Sequence, residues 1–375
     1  MNGSNPRASR ILIMAAGTGG HVIPGLALAQ QLRELGHTVR WLGTENGMEN
    51  RLTAPMQMPM HHVGFDGLRG KGLLGAMLGG WRLVQAFFAC LALLRSQRID
   101  AVLGMGGYVC VPGGLAAAIL GKPLILVNAD SQLLLSNKLL LPFADAICFG
   151  FDGADAKRID KAIVTGNPVR AELASISSPQ VRLQARTGPL KLLVVGGSSG
   201  ARALNVLLPA ALALIAADVR PVVLHQCGMA HEAEVRLAYS ASSVSAELVP
   251  FIHDMARALA DCDLIVCRAG AITVSELCAT GVASVLVPLV ISTTQHQQGN
   301  AQWMAEHGAA IHAPQRELTP QALADLLQTT TRERLLELAS AAKALAGPDA
   351  ANRIVRLTLT LVDASAEGTN TKGKA

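Results

Sequence analysis

The sequence predicts an α/β protein of two doubly wound, parallel-sheet halves, each of nucleotide-binding type, and three observations carry that expectation. Short apolar runs repeatedly lead into glycine-rich breaks and then into stretches with apolar residues three and four apart, the pattern of buried strand, tight loop and helix. The pattern restarts near the middle of the chain, where 191–195, GGSSGAR and 203–214 repeat the arrangement of the first residues after the N-terminus. A chain of 375 residues is too long for one ordinary core, and its 50% hydrophobic, 16% charged composition with 36 glycines suits a folded, glycine-turned protein.

In the first half, residues 11–16 (ILIMAA) read as a strand and PGLALAQQLRELG as a helix, with Gly17, Thr18, Gly19, Gly20 and His21 as the loop between them. A full dinucleotide fingerprint would place glycine where Val22 stands, and no GxxxxGK[ST] occurs, so NAD and ATP are weakly indicated. Glu45, after the strand 39–42, keeps a dehydrogenase reading open. His21 lies at the mouth of the glycine turn, where it can exchange a proton near neutral pH or else only cap the loop.

The apolar run 73–94 is long enough to span a bilayer, but Arg82 near its middle costs roughly 2.5 kcal/mol or more there, and Gly79-Gly80 interrupts it. Two helices are expected, not one span. Leu73, Leu74, Met77, Leu78 and Trp81 cluster at helical spacing beside Arg69 and Lys71, an apolar patch with a basic rim of the kind that rests on an anionic membrane face; 83–94 is expected in the core. A strand at 101–103 leads into a second glycine loop, Gly104, Gly106 and Gly107. Another at 124–127 ends in Asn128, Ala129 and Asp130, at the edge where α/β proteins place their sites. Strands at 146–149 and 163–164 run into TGNPVR, and the polar, proline-punctuated stretch that follows reads as a linker.

The second half is organised around DCDLIVCRAGAITVSELCATG, residues 261–281. It reads strand, tight loop, helix. Gly270 and Ala271 let the backbone approach a ligand, and Thr273 and Ser275 sit in a first helical turn whose unpaired N–H groups favour a phosphate. Glu276 would repel that phosphate, so its natural partner is a neutral diol such as a ribose, and Arg268 supplies compensating positive charge. The alternative is an ordinary capped βα unit. Gln297, Gln298 and Asn300 suit sugar hydroxyls, or a capped solvent loop. A last helix is expected over 348–362.

Domain boundaries follow as 8–168, joined by the helix 348–362, and 169–347, with 1–7 and 364–375 expected to be disordered. Seven cysteines form no CxxC pair and no metal-type spacing with histidine, and they read as reduced core residues of a cytosolic protein. The apolar run after the polar N-terminus is too short for a signal peptide. A formal charge of +5 is concentrated locally, in Arg69, Lys71, Arg82, Arg95 and Arg98, with no acid among them.

The motifs GTGGHV, GLRGKG, GMGGYV, GNPVR, GGSSGAR, FIHDM, CRAGAITVSE and HQQGNA, in this order from about residue 10 to 360, closely resemble the MurG family of bacterial glycosyltransferases. The resemblance implies the GT-B fold, two Rossmann-like doubly wound domains facing a cleft. It implies inverting transfer of N-acetylglucosamine from UDP-GlcNAc to the 4-hydroxyl of the muramoyl sugar in undecaprenyl-linked lipid I, making lipid II. The setting it implies is peptidoglycan and cell-wall biogenesis, cell shape and division, at the cytoplasmic face of the inner membrane as a peripheral protein. No cofactor, no metal and no nucleic acid are implied; the donor, lipid I, an anionic membrane surface and other cell-wall synthesis proteins are the implied partners. Carried over residue by residue, Phe251 and Ile252 resemble uracil contacts and Glu276 the ribose carboxylate. Ser198, Arg170, Arg268, Ala271, Ile272 and Thr273 resemble the diphosphate surroundings, and Gln297 and Asn300 the donor-sugar contacts. Thr18, Gly19, Gly20 and Asn128 are counted with the donor, while the first half, through Gly19, Gly20, His21, Gly106, Gly107 and Tyr108, should also receive the lipid diphosphate and acceptor sugar. His21 is the candidate base, with Asp130 as a second catalytic candidate. Where the family usually has a His-Glu-Gln-Asn run, this chain has Val127, Asn128, Ala129 and Asp130, which leaves open another UDP-sugar glycolipid transferase or a non-catalytic UDP-sugar-binding protein.

Overall fold

In the computed structural model, residues 8–17, 19–64, 73–184, 186–197, 200–289, 296–347 and 349–372 are described, with the side chains of 73–78, 174 and 368–372 excepted. The chain forms two compact units, Met1–Val169 with Asp349–Ala375, and Arg170–Pro348.

The first unit runs β1 (Arg10–Met14), α1 (Gly19–Glu34), β2 (Thr38–Gly43), α2 (Met48–Thr53), β3 (Met60–His62), α3 (Leu73–Ser96), β4 (Ala101–Gly104), α4 (Cys110–Ile119), β5 (Leu124–Asn128), α5 (Leu135–Leu140), β6 (Ala146–Phe149), α6 (Ala154–Arg158) and β7 (Ala162–Val164). Its strands are parallel in the order β3-β2-β1-β4-β5-β6-β7. The second unit runs α7 (Pro179–Gln184), β8 (Lys191–Val195), α8 (Arg202–Ala213), β9 (Val222–Gln226), α9 (Glu232–Ala241), β10 (Glu247–Val249), α10 (Met255–Asp261), β11 (Leu264–Cys267), α11 (Ala271–Thr280), β12 (Ser284–Leu286), α12 (His296–Glu306), β13 (Ile311–His312), α13 (Pro320–Thr329) and α14 (Arg332–Ala344). It repeats the same parallel order as β10-β9-β8-β11-β12-β13. The last helix, α15 (Ala350–Lys372), returns to the first unit and packs on α1.

A parallel sheet must be covered on both faces, and the side-chain alternation of β1 shows how. Ile11 and Ile13 join Val22, Leu28, Leu32, Trp41 and, from α15, Ile354 and Val355 in one core. Leu12 and Met14 join Cys90, Leu94, Cys110 and Leu140 in the other. All seven cysteines are free and buried; burial pushes the thiols of Cys90, Cys110, Cys148, Cys262, Cys267 and Cys278 up to about 12.

Four local expectations are corrected. Residues 73–96 form one continuous helix, not two. Two glycines cost a helix about 1 kcal/mol each, less than the packing of Ala86, Cys90 and Leu94 against the core beneath α4 returns. Helix α1 begins at Gly19, so Gly19, Gly20 and His21 are its first turn instead of a loop, and Pro24 lies inside it. The supposed linker holds a short 3-10 turn, Ala171–Ser175, and α7, docked on the second unit by its arginines. Arg182 donates to the carbonyls of Leu259 (3.1 Å) and Thr280 (3.0 Å), groups that a helix end leaves unpaired. Arg186 pairs with buried Asp263 at 2.6 Å. Finally, α15 runs on to Lys372 past the end expected at 362, because Ala364, Ala366 and Glu367 are good helix formers and extension adds a bond per residue.

Candidate active site

Both sheets reverse strand order beside the unit's first strand, between β1 and β4 and between β8 and β11. Loops leaving neighbouring carboxyl ends there diverge to opposite faces and open a crevice, the place where open α/β sheets hold ligands.

In the second unit, the β11–α11 connection is the Arg268–Ala269–Gly270 turn. Gly270 caps α11 with no side-chain bond and no acid lies in the first turn, so the N–H groups of Ala271, Ile272 and Thr273 are left to a ligand at the positive end of the helix. The far end of α11 closes at Gly281, whose φ of 61° only glycine adopts readily. Asn300, fully buried on α12, donates to the Ala269 carbonyl (3.1 Å), and Gln297 accepts from the Leu289 N–H (2.9 Å). Arg268 donates to the carbonyls of Val287 (3.0 Å) and Pro288 (3.4 Å), and burial lowers its pKa. Its charge is thus held between β11 and the end of β12.

One turn into α11, Glu276 is 8% exposed, and its Oε1 accepts from Arg170 Nε at 2.8 Å. Burial raises the carboxyl pKa of Glu276, and Arg170 opposes that rise. The sequence separated these two residues into a ribose contact and a diphosphate contact; the structure makes them an ion pair. On the other side of β8, Gln226 donates to the carbonyls of Gly197 (3.0 Å) and Pro250 (3.1 Å), fastening the glycine loop to the segment that carries Phe251 and Ile252. Phe251 is half exposed and rests edge-on against His253. Ser198 lies outside the described residues.

In the first unit, Gly17, Gly106 and Gly107 have φ of 99°, 112° and 89°, conformations that L side chains avoid. A Cβ on Gly107 would come within 2.7 Å of the Ala16 carbonyl, and one on Gly106 within 2.9 Å of the His21 ring. The two glycine loops therefore close on each other around His21, whose Nδ1 lies 3.3 Å from the Ala16 carbonyl. Tyr108 is half-buried at the start of the α4 turn. Asn128, expected as a donor contact, spends its amide on its own loop. It donates to the carbonyls of Asp130 (2.8 Å) and Gln132 (3.0 Å) and accepts from Leu134 N–H (2.9 Å) and Asn137 (3.1 Å). Asp130 is half-buried on that loop. Thr18, Arg69 and Lys71 lie outside the described residues, as do the side chains of Leu73, Leu74, Met77 and Leu78. On the described part of α3, Trp81, Val84 and Phe88 are exposed along one helical stripe, so the apolar face extends into the segment expected in the core.

Two residues at these crevices escaped the sequence reading. Gln226 stood at the end of the apolar run VVLHQ, and a polar residue closing a buried strand was its signal. Glu49 is fully buried behind the Gly17 loop and accepts from the Thr44 N–H and hydroxyl, each at 2.8 Å. Among the described residues no group of three or more histidines, cysteines or carboxylates is placed to hold a metal.

The model of the glycosyltransferase family 28 N-terminal domain matches residues 11–149, and that of the C-terminal domain residues 191–354. A UDP-N-acetylglucosamine--N-acetylmuramyl-(pentapeptide) pyrophosphoryl-undecaprenol N-acetylglucosamine transferase of Methylibium petroleiphilum is 59% identical over 349 residues, 92% of this chain and 95% of the relative. Its namesake from Chromobacterium violaceum is 56% identical over 92% of this chain and 97% of its own. The crystal structure of Acinetobacter baumannii MurG superposes with a TM-score of 0.82 at 37% identity, over 94% of this chain and 99% of that one. The chain belongs to the MurG family.

MurG-family membership gives the two units as the domains of the GT-B fold and makes the chain a glycosyltransferase. The dehydrogenase, glycolipid-transferase and scaffold alternatives are not favoured by these relatives. At the departure from the usual MurG run, 127–130, Val127 ends in the strand, its carbonyl accepts from Asn137 (3.2 Å), and Asn128 ties the next six residues together.

Proposed function

We infer that the chain transfers N-acetylglucosamine from UDP-GlcNAc to the 4-hydroxyl of the muramoyl sugar in lipid I, with inversion, to give lipid II for peptidoglycan. The observation that carries this is 59% identity across 92% of the chain to a transferase of that name.

On this reading the second unit holds the donor. The diphosphate lies at the N–H groups of Ala271, Ile272 and Thr273, Arg268 and Arg170 supply positive charge, and the ribose hydroxyls donate to Glu276. Phe251 and Ile252 take the uracil, and Gln297 and Asn300 shape the sugar pocket. The first unit holds the acceptor through Gly19, Gly20, Gly106, Gly107 and Tyr108, with Asn128 shaping the loop that carries Asp130. The 4-hydroxyl oxygen bonds to the anomeric carbon as the bond to the departing phosphate oxygen breaks, and a single displacement inverts that carbon. The electron pair leaves on UDP, and the hydroxyl proton passes to His21. Charge developing on the diphosphate meets preorganised N–H donors and a helix dipole.

The acceptor's lipid requires a membrane face. No described helix is long and apolar enough to cross a membrane. Exposed Trp81, Val84 and Phe88, flanked by exposed Arg82, Arg95 and Arg98, support peripheral docking on an anionic cytoplasmic surface. The test is transfer of labelled N-acetylglucosamine to a panel of acceptors. Turnover on a muramoyl diphospholipid, and none on glycolipids lacking the muramoyl sugar, is expected; UDP binding without turnover on any acceptor would contradict it.

A further inference from the structure

The peptide joining Ala16 to Gly17 is held at both ends. Its N–H, on Gly17, points at Glu49 Oε2 at 3.4 Å, and its carbonyl, on Ala16, faces His21 Nδ1 at 3.3 Å. A carbonyl only accepts, so Nδ1 carries the proton in this contact and Nε2 keeps its lone pair. Glu49 is 0% exposed, and its other oxygen is fixed by the Thr44 N–H and hydroxyl at 2.8 Å each, so the carboxylate is aimed by its own partners. Gly17 at φ 99° sets the plane of the peptide, and Gly107 leaves room for its carbonyl, which a Cβ would meet at 2.7 Å.

We propose that Glu49 is a positioning residue for the transfer, acting on His21 through the Ala16–Gly17 peptide. A carboxylate accepting from the N–H of a peptide makes that peptide's carbonyl a stronger acceptor, since hydrogen bonds in a chain polarise one another. The carbonyl then holds the His21 ring in the tautomer whose Nε2 takes the acceptor's proton, and steadies the imidazolium that results. The arrangement does for His21 what a directly bonded acid does in a nucleophile–histidine–acid triad, with one peptide interposed. It also turns the acid inward: Glu49 accepts from two backbone N–H groups and a threonine hydroxyl. The proposal rests on His21 being the base.

Glu49→Gln is the discriminating change. Its carbonyl oxygen keeps both Thr44 bonds, while its amide sets a donor against the Gly17 N–H. Expected is a fall in kcat of about tenfold, the size of one modest hydrogen bond, with KM for UDP-GlcNAc unchanged and nitrogen NMR showing His21 shifted toward the Nε2–H tautomer. In a His21→Ala background the same substitution should change nothing further. Thr44→Val, which puts a methyl in place of the hydroxyl and leaves the Thr44 N–H and the Glu49 charge, should lower kcat by less than Glu49→Gln does. If Glu49→Gln does not fold, Gly107→Ala perturbs the same carbonyl from the opposite side and should shift the tautomer likewise. If His21→Ala leaves kcat intact, the base assignment fails and the relay with it. If His21→Ala lowers kcat sharply to a measurable residue while Glu49→Gln stays within about twofold of the parent, or costs the same factor again on that residue, the relay alone is overturned.

Discussion

Glu276→Gln separates the roles of a buried carboxylate most sharply, because it keeps the shape and removes the charge. Hydrogen bonds to a charged group contribute about 1.5–3 kcal/mol each, so losing the charge toward one ribose hydroxyl should weaken UDP-GlcNAc binding about 10- to 150-fold. The same change orphans Arg170. A fully buried orphan costs about 3–5 kcal/mol, but the Arg170 side chain is 35% exposed and hydrates, which brings the loss to roughly 1–2 kcal/mol. For a unit of this size that corresponds to a Tm lowered by roughly 2–8 °C. Burial raises the Glu276 pKa above 4.5. Donor affinity that needs the ionised form is therefore complete above the raised value and lost as pH falls through it, at a higher pH than an ordinary glutamate would give. The Gln variant should be flat over that window. Calorimetric titration of UDP-GlcNAc across pH, with a parallel melt, reads both effects. A folded Gln variant binding within about twofold of the parent would refute a ribose role for this carboxylate.

His225 gives a pH limb of stability. It is fully buried, its Nε2 bonds Asn205 (3.1 Å), its Nδ1 meets the Tyr239 hydroxyl (2.9 Å), and burial lowers its pKa to about 4. Above 6.5 it is neutral folded and unfolded; as pH falls from there toward 4 only the unfolded chain takes the proton, removing up to about 3 kcal/mol. Melts of His225→Gln should show that limb flattened, and an unchanged slope would count against it. Phe88 is 61% exposed on the α3 stripe. Burying such a ring contributes about 1.5–3 kcal/mol, so Phe88→Ser should lower partition onto anionic vesicles by about tenfold or more, and equal sedimentation of both proteins with vesicles would remove this face from the docking surface.

The sheets were legible in the sequence because most interior strands are short apolar runs, several of them closed by glycine, and the restart at 191 exposed the duplication. The functional loops were legible for the same reason, since the glycines that break the pattern after β1 and β4 include Gly17, Gly106 and Gly107, at φ of 99°, 112° and 89°. Long-range pairings were not. Arg170 and Glu276 stand 106 residues apart, and nothing local says that one answers the other. In GTENGMEN the sequence pointed to Glu45, and only the fold shows Glu49 turned inward on Thr44 and the Gly17 loop while Glu45 offers its carbonyl to Asn50. The arginines of 172–189 read as part of a polar linker because their partners, helix-end carbonyls and the distant Asp263 carboxylate, leave no trace in composition. Gly79-Gly80 misled in the opposite direction, a local penalty overridden by packing.

A crystal structure of the chain with UDP-GlcNAc bound tests the donor assignment most directly. The diphosphate should lie on the N–H groups of Ala271 to Thr273 with both ribose hydroxyls in reach of the Glu276 carboxylate, Arg170 having yielded its place beside it. Nucleotide bound instead at the β1–β4 crevice, or a second unit left empty at saturating donor, would contradict the account.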